Sequence, residues 1–74
     1  MTKLGDYLSK KSVNKSDVSR KTGISKARLS ELTLKNTARL RVEELYLIAL
    51  AIEVNAGELL EFVCSGTKLL HIKK

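Results

Sequence analysis

Basic side chains are the residues of this sequence best equipped for chemistry, and they crowd into one half of it. Residues 1–41 carry Lys3, Lys10, Lys11, Lys15, Arg20, Lys21, Lys26, Arg28, Lys35, Arg39 and Arg41 against Asp6, Asp17 and Glu31, a local balance of +8. Residues 42–64 reverse the sign, with Glu43, Glu44, Glu53, Glu58 and Glu61 and no base. Lys68, Lys73 and Lys74 follow and bring the chain to its net charge of +6. A positive block of this kind suits a polyanionic partner. Other chemistries lack their parts. His71 and Cys64 are the single His and the single Cys, too few for a zinc site or a disulfide framework. No Gly-rich phosphate loop, Ser/His/Asp set or paired-carboxylate cleft can be assembled, so no enzyme, metal or cofactor is expected. Tyr7 and Tyr46 are too isolated to stack bases, which argues against a single-strand or RNA reader.

Helices must hold those bases. The 74 residues allow one domain with a thin core. The chain is 43% hydrophobic and 30% charged, the balance of a folded protein rather than a disordered one. It has no Pro and four Gly, which favours an all-α fold over a turn-rich β fold. Leu4, Tyr7, Leu8 and Lys11 are spaced for a helix over residues 2–11. Asn14 is a good N-cap for a helix over 15–22, with Val18 and Thr22 inward, and Gly23 ends it in the left-handed conformation. Ile24 points inward, and Ser25 caps a helix over 26–32 that buries Leu29 and Leu32. Two short helices joined by so tight a turn cross steeply, which is the helix-turn-helix arrangement. Thr33 to Arg39 is polar and reads as a surface loop, after which Leu40 and Val42 re-enter the core. A fourth helix over 42–53 shows an inner stripe of Leu45, Ile48, Ala49 and Ile52. Tyr46, Leu47 and Leu50 make its other faces apolar too, so it is predicted to be buried nearly all round. Asn55 caps a fifth helix over 56–63 with Leu59, Leu60 and Val63 inward. Residues 65–74 form a short tail, extended or one helical turn. No apolar run reaches 18 residues, so no membrane span is expected. The opening MTKLGDYLSKK lacks the apolar stretch of a secretory signal, and a lone Cys64 fits a reducing compartment, so a cytoplasmic location is expected.

The segment 15–34, KSDVSRKTGISKARLSELTL, resembles the Cro and phage-repressor type of helix-turn-helix DNA-binding domain. Val18 stands at the family's apolar position and Ser19 at its small one, where the two helices approach. Gly23 matches the turn, and Ile24, Leu29 and Leu32 match the apolar positions after it. The stretch ELYLIALAIEVNAGELL is similar to the family's following helices, through Leu45, Ile48, Ala49, Ile52 and Val54. The resemblance covers roughly residues 4–63 and implies a lambda-repressor-like domain of five short helices over residues 1–64. Thr22 departs from it, being usually a larger apolar residue. Thr33 and Lys35 replace the acidic residue and glycine common after the recognition helix, which sets aside a local buried ion pair but not the fold. Leu47 and Leu50 fall where the family usually carries polar residues.

The resemblance implies that the helix over 26–32 enters the major groove with its N-terminal residues leading. Base contacts are then expected from Lys26, Ala27, Arg28 and Glu31. Lys26 and Arg28 reach guanine O6 and N7 or a phosphate, and Ala27 meets a thymine methyl. Glu31 accepts from cytosine N4 or pairs with Arg28 at i+3. Phosphate contacts are expected from Lys15, Ser25, Lys35, Asn36, Thr37 and Arg39, with Lys15 at a helix N-terminus that itself attracts an anion. The implied function is a sequence-specific double-stranded DNA-binding regulator of bacterial or phage type, associated with the nucleoid. It would act by occupying DNA, with no small-molecule ligand. An antitoxin repressing its own operon is a variant of this reading. The alternative is a helical protein-interaction module, including antitoxin-like partner binding, with the same fold and weak or no DNA binding. Its mark would be an acidic or apolar recognition helix, and Lys26-Ala27-Arg28 is neither. A homodimer is expected, through the fourth and fifth helices, the tail, or both, because one recognition helix reads few base pairs. A monomer with the tail folded back over Leu47 and Leu50 is the competing arrangement.

Overall fold

Polar caps decide where four of the helices begin. In the computed structural model, which describes residues 1–70, α1 (Lys3–Lys10), α2 (Lys15–Thr22), α3 (Lys26–Leu34) and α5 (Ala56–Val63) start on Thr2, Asn14, Ser25 and Asn55. Each cap's side-chain oxygen accepts from first-turn amides that would otherwise lack a partner. α4 (Val42–Ala51) opens differently. The Glu44 carboxylate turns back and accepts the Arg41 N–H at 2.9 Å, a carboxylate in its capping-box position. Five helices and no strand make up the described residues, the all-α architecture expected from the sequence. None of the helices is long and apolar enough to cross a membrane.

Leu29 of α3, Ile48 of α4 and Leu59 of α5 are completely buried and form the centre of the core. Leu4 and Leu8 of α1, Val18 of α2 and Ile24 of the turn close around them. α1 packs on α3 and α5, α2 packs on α3 and α4, and α4 packs on α5. The helix-turn-helix pair is therefore α2 and α3, joined by Gly23, Ile24 and Ser25. Gly23 lies at φ 81° and donates its N–H to the Ser19 carbonyl at 2.9 Å. A Cβ there would meet nothing within 4 Å, so a side chain's cost is set by the left-handed backbone alone. Gly23→Val is expected to destabilise the domain by about 1–2 kcal/mol, read as a lowered denaturant midpoint at unchanged slope. An unchanged midpoint would contradict it.

Beyond single residues at the ends of α1, the structure departs from the sequence reading in three places. α3 runs on to Leu34, and Thr33 is a buried core residue rather than the start of a loop. Its hydroxyl donates to the Leu29 carbonyl at 2.9 Å, which satisfies it within its own helix. The α3 terminus is then tied to α1. Thr2 donates its N–H to the Thr33 carbonyl at 2.9 Å and its hydroxyl to the Leu32 carbonyl at 2.7 Å. Gly5 permits this approach, because a Cβ there would press on the Thr33 carbonyl. Secondly, α4 ends at Ala51 rather than at residue 53. Thirdly, Val42, Tyr46, Leu47, Leu50 and Leu60 are exposed. Periodicity identifies apolar faces, but four neighbouring short helices cannot cover all of them. The chain beyond α5 turns through Ser65 and Gly66 and continues to Leu70 outside any helix or strand. Leu69 and Leu70 are exposed there, so neither covers Leu47 or Leu50. The expectations for His71, Ile72, Lys73 and Lys74 lie outside the described residues.

Candidate nucleic-acid interface

α3 is held from two sides, by α1 and α2, and by Thr2 at its C-terminus, which leaves its outer face free. Leu29, Leu32 and Thr33 point into the core, while Ser25, Lys26, Ala27 and Glu31 are exposed. Ala27 and Glu31 are one turn apart and so share a face, with Lys26 beside them at the leading end. Lys26 has no ion pair among the described residues. Ser25 Oγ accepts the Arg28 N–H at 3.0 Å as a cap, and its hydroxyl proton remains available to donate. Presented together, these groups suit a narrow polar edge such as base pairs exposed in a groove.

Arg28, expected to reach a base, is engaged within the domain in this structure. Its guanidinium turns across the domain to Glu44 of α4, with Nε on Oε2 at 2.9 Å and Nη2 on Oε1 at 3.1 Å. Nη2 also donates to the Arg39 carbonyl at 2.6 Å, and Nη1 reaches Glu31 Oε1 at 3.4 Å. The Arg28 and Glu44 side chains keep only 30% and 14% of their exposure. Two parallel N–H···O bonds fix direction as well as energy. Arg28 therefore fastens the front of α3 to the start of α4 and to the loop between them. Glu31 takes the i+3 partner that its spacing suggested, at a long distance, and stays half exposed.

That loop, residues 35–41, leaves the end of α3 and returns beside its front, where Arg28 holds the Arg39 backbone. Lys35, Asn36, Thr37 and Arg39 are all exposed on it, and the Ala38 N–H closes a turn on the Lys35 carbonyl at 3.1 Å. Lys15 is half-buried and lines a cleft of about 250 Å³ with Met1, Ser9 and Thr33. The α2 N-terminus beside it is already occupied in part. Asn14 Oδ1 takes the Ser16 and Asp17 amides at 2.8 and 3.2 Å. An anion there would meet the Lys15 ammonium and the helix dipole rather than an open set of amides.

Glu44 is the residue that sequence reasoning missed. Arg41 is not the Ser or Thr that marks a capping box in sequence, and the pairing with Arg28 spans sixteen residues and leaves no local signal. The hydrogen bonds from Arg28 hold its carboxyl below the ordinary carboxylate range, against the opposing effect of burial. A depressed carboxyl stabilises the fold above its unfolded value, about pH 4.3, and loses that contribution as pH falls through the lower folded value. Glu44→Gln is therefore expected to lower Tm at pH 7, with the gap from wild type closing as the pH drops below about 4. Thermal unfolding followed by circular dichroism across that range checks it, and a gap independent of pH would contradict it.

The family model of the Cro/C1-type HTH DNA-binding domain matches residues 3–65, which include all five helices. No curated protein and no solved structure matches the chain.

Proposed function

The chain belongs to the Cro/C1-type helix-turn-helix DNA-binding domain family, and from that premise we propose that it is a sequence-specific regulator of transcription that binds double-stranded DNA. The observation that carries this reading is the exposed leading edge of α3, where Lys26 and Ala27 are exposed and Lys26 has no competing ion pair among the described residues. In the major groove, Lys26 donates to guanine O6 or N7, Ala27 packs on a thymine methyl, and Glu31 accepts from cytosine N4. Arg28 acts as a positioning residue that sets the angle of α3 through Glu44. Direct base contact by Arg28 would require it to leave that pair.

Lys15, Ser25, Lys35, Asn36, Thr37 and Arg39 take the flanking phosphates, which fix register without reading sequence. Residues 1–64 form the binding unit, and 65–74 form a tail that serves dimerisation. Two copies read two half-sites, as a two-fold operator requires. The protein works in the cytoplasm, on a bacterial or phage genome, by occupying its site rather than by catalysis.

Fluorescence anisotropy over a series of salt concentrations tests the phosphate side of this reading. Lys15→Ala should weaken binding to every duplex alike and reduce the slope of log affinity against log salt by about one. An unchanged slope would remove Lys15 from the interface.

A further inference from the structure

Glu44 stands on α4, outside the helix given to the groove, yet it takes up donors of a residue near the front of that helix. A guanidinium has five N–H groups. Four of those on Arg28 are engaged within the domain. Nε and Nη2 donate to Glu44, Nη2 donates again to the Arg39 carbonyl, and Nη1 donates to Glu31. Bidentate reading of guanine O6 and N7 takes two donors. The single N–H left on Nη1 cannot supply them.

The contacts that hold Arg28 are unequal. Glu31 is three residues away on the same helix, half exposed and at 3.4 Å, and an exposed pair of this kind stabilises little. Glu44 is the anchor. Its side chain keeps 14% of its exposure, and its carboxylate accepts the Arg41 N–H besides the two Arg28 bonds. Departure of Arg28 would leave a largely buried carboxylate with one amide for a partner, which is costly. Bound DNA adds to that cost. The loop over residues 35–41, given above to phosphates, ends on the amide that Glu44 holds, so an unpaired Glu44 would face phosphate charge as well.

We infer that Glu44 is a specificity-determining residue that does not itself touch DNA. By holding Arg28 it keeps a guanidinium at the third position of α3 out of the major groove. The recognised sequence thereby lacks a guanine requirement that α3 alone would impose, and base choice is left to Lys26, Ala27 and Glu31. This rests on the reading of α3 as the helix in the groove, and adds to it the residue that decides whether Arg28 takes part.

Selection from a random duplex pool with Glu44→Gln tests it, with folding followed by circular dichroism. Gln keeps an oxygen for the Arg41 N–H but offers a donor where Glu44 has its second acceptor, so the two-bond clamp on Arg28 is lost. The expected consensus gains a guanine at one position. A duplex bearing that guanine should be bound about fivefold or more tighter than one bearing adenine there. Adding Arg28→Met to Glu44→Gln should abolish the gain, since Met keeps the bulk of the stem without its donors. Loss of a negative charge by itself tightens every duplex alike, so a new base preference separates control of specificity from a structural or electrostatic effect. A wild type that selects a consensus which Glu44→Gln merely reproduces overturns the inference and leaves the DNA-binding reading standing. A guanine preference that survives in the double variant also overturns it, because another group then reads that base. A wild-type pool that stays random overturns both. Should Glu44→Gln fail to fold, nuclear magnetic resonance on the wild type decides. The Arg28 Nε–H signal should keep its position and its exchange rate with solvent when the selected duplex is added, and a shifted or faster-exchanging signal overturns the inference.

Discussion

Leu29→Ala is expected to unfold this domain or leave it barely folded. Leu29 is completely buried, at the middle of α3, between the elements that brace it. Truncating a buried leucine costs about 2–5 kcal/mol, because the lost transfer energy is joined by a cavity that the surroundings fill only in part. At about 0.05–0.15 kcal/mol per residue, a domain of this length holds roughly 4–11 kcal/mol in all. The loss is thus a large share of the total. Chemical denaturation should show a lowered midpoint, or no folded baseline, and DNA binding should fall to every sequence together. A midpoint close to wild type would mean that α3 is not anchored through this side chain.

Lys26→Ala should have the opposite profile, an intact fold and an altered preference for sequence. Lys26 is exposed at the first position of α3 and engages no acidic partner among the described residues. Removing it should leave Tm within the scatter of a surface substitution, about 0.5 kcal/mol in stability. A lost base contact should weaken the preferred duplex by about 1–3 kcal/mol and relax the choice at one position of the site. Random duplex should lose much less, because its binding rests on phosphates. Competition of preferred against random duplex at fixed salt separates the two. Equal losses on both would make Lys26 a phosphate contact and move base reading elsewhere on α3.

The local devices of this fold were legible in the sequence. Asn14, Ser25 and Asn55 cap the helices that they were expected to cap, because capping involves residues two or three apart. Gly23 turns left-handed, as a glycine just past a helix tends to. The spans of α2 and α5 follow from these signals alone. Interactions between distant residues were not legible. The pairing of Arg28 with Glu44 is one of them, because the carboxylate lies sixteen residues further along the chain. Thr33 read as loop because it is polar, although a threonine hydroxyl bonded to its own helix can be buried. Val42 and Leu60 read as core because they are apolar and at helical spacing. Spacing shows which faces are apolar, and the number of neighbours decides which of them are covered.

The central claim is that α3 reads double-stranded DNA by sequence, and selection from a random duplex pool tests it most directly. The wild-type chain is mixed with the pool at moderate salt, bound duplexes are recovered over several rounds, and the enriched sequences are compared. The expected result is a short consensus repeated in inverted orientation, with half-site centres about 10–10.5 base pairs apart or a multiple of that. A pool that stays random after several rounds, with binding that depends only on duplex length and salt, would contradict it.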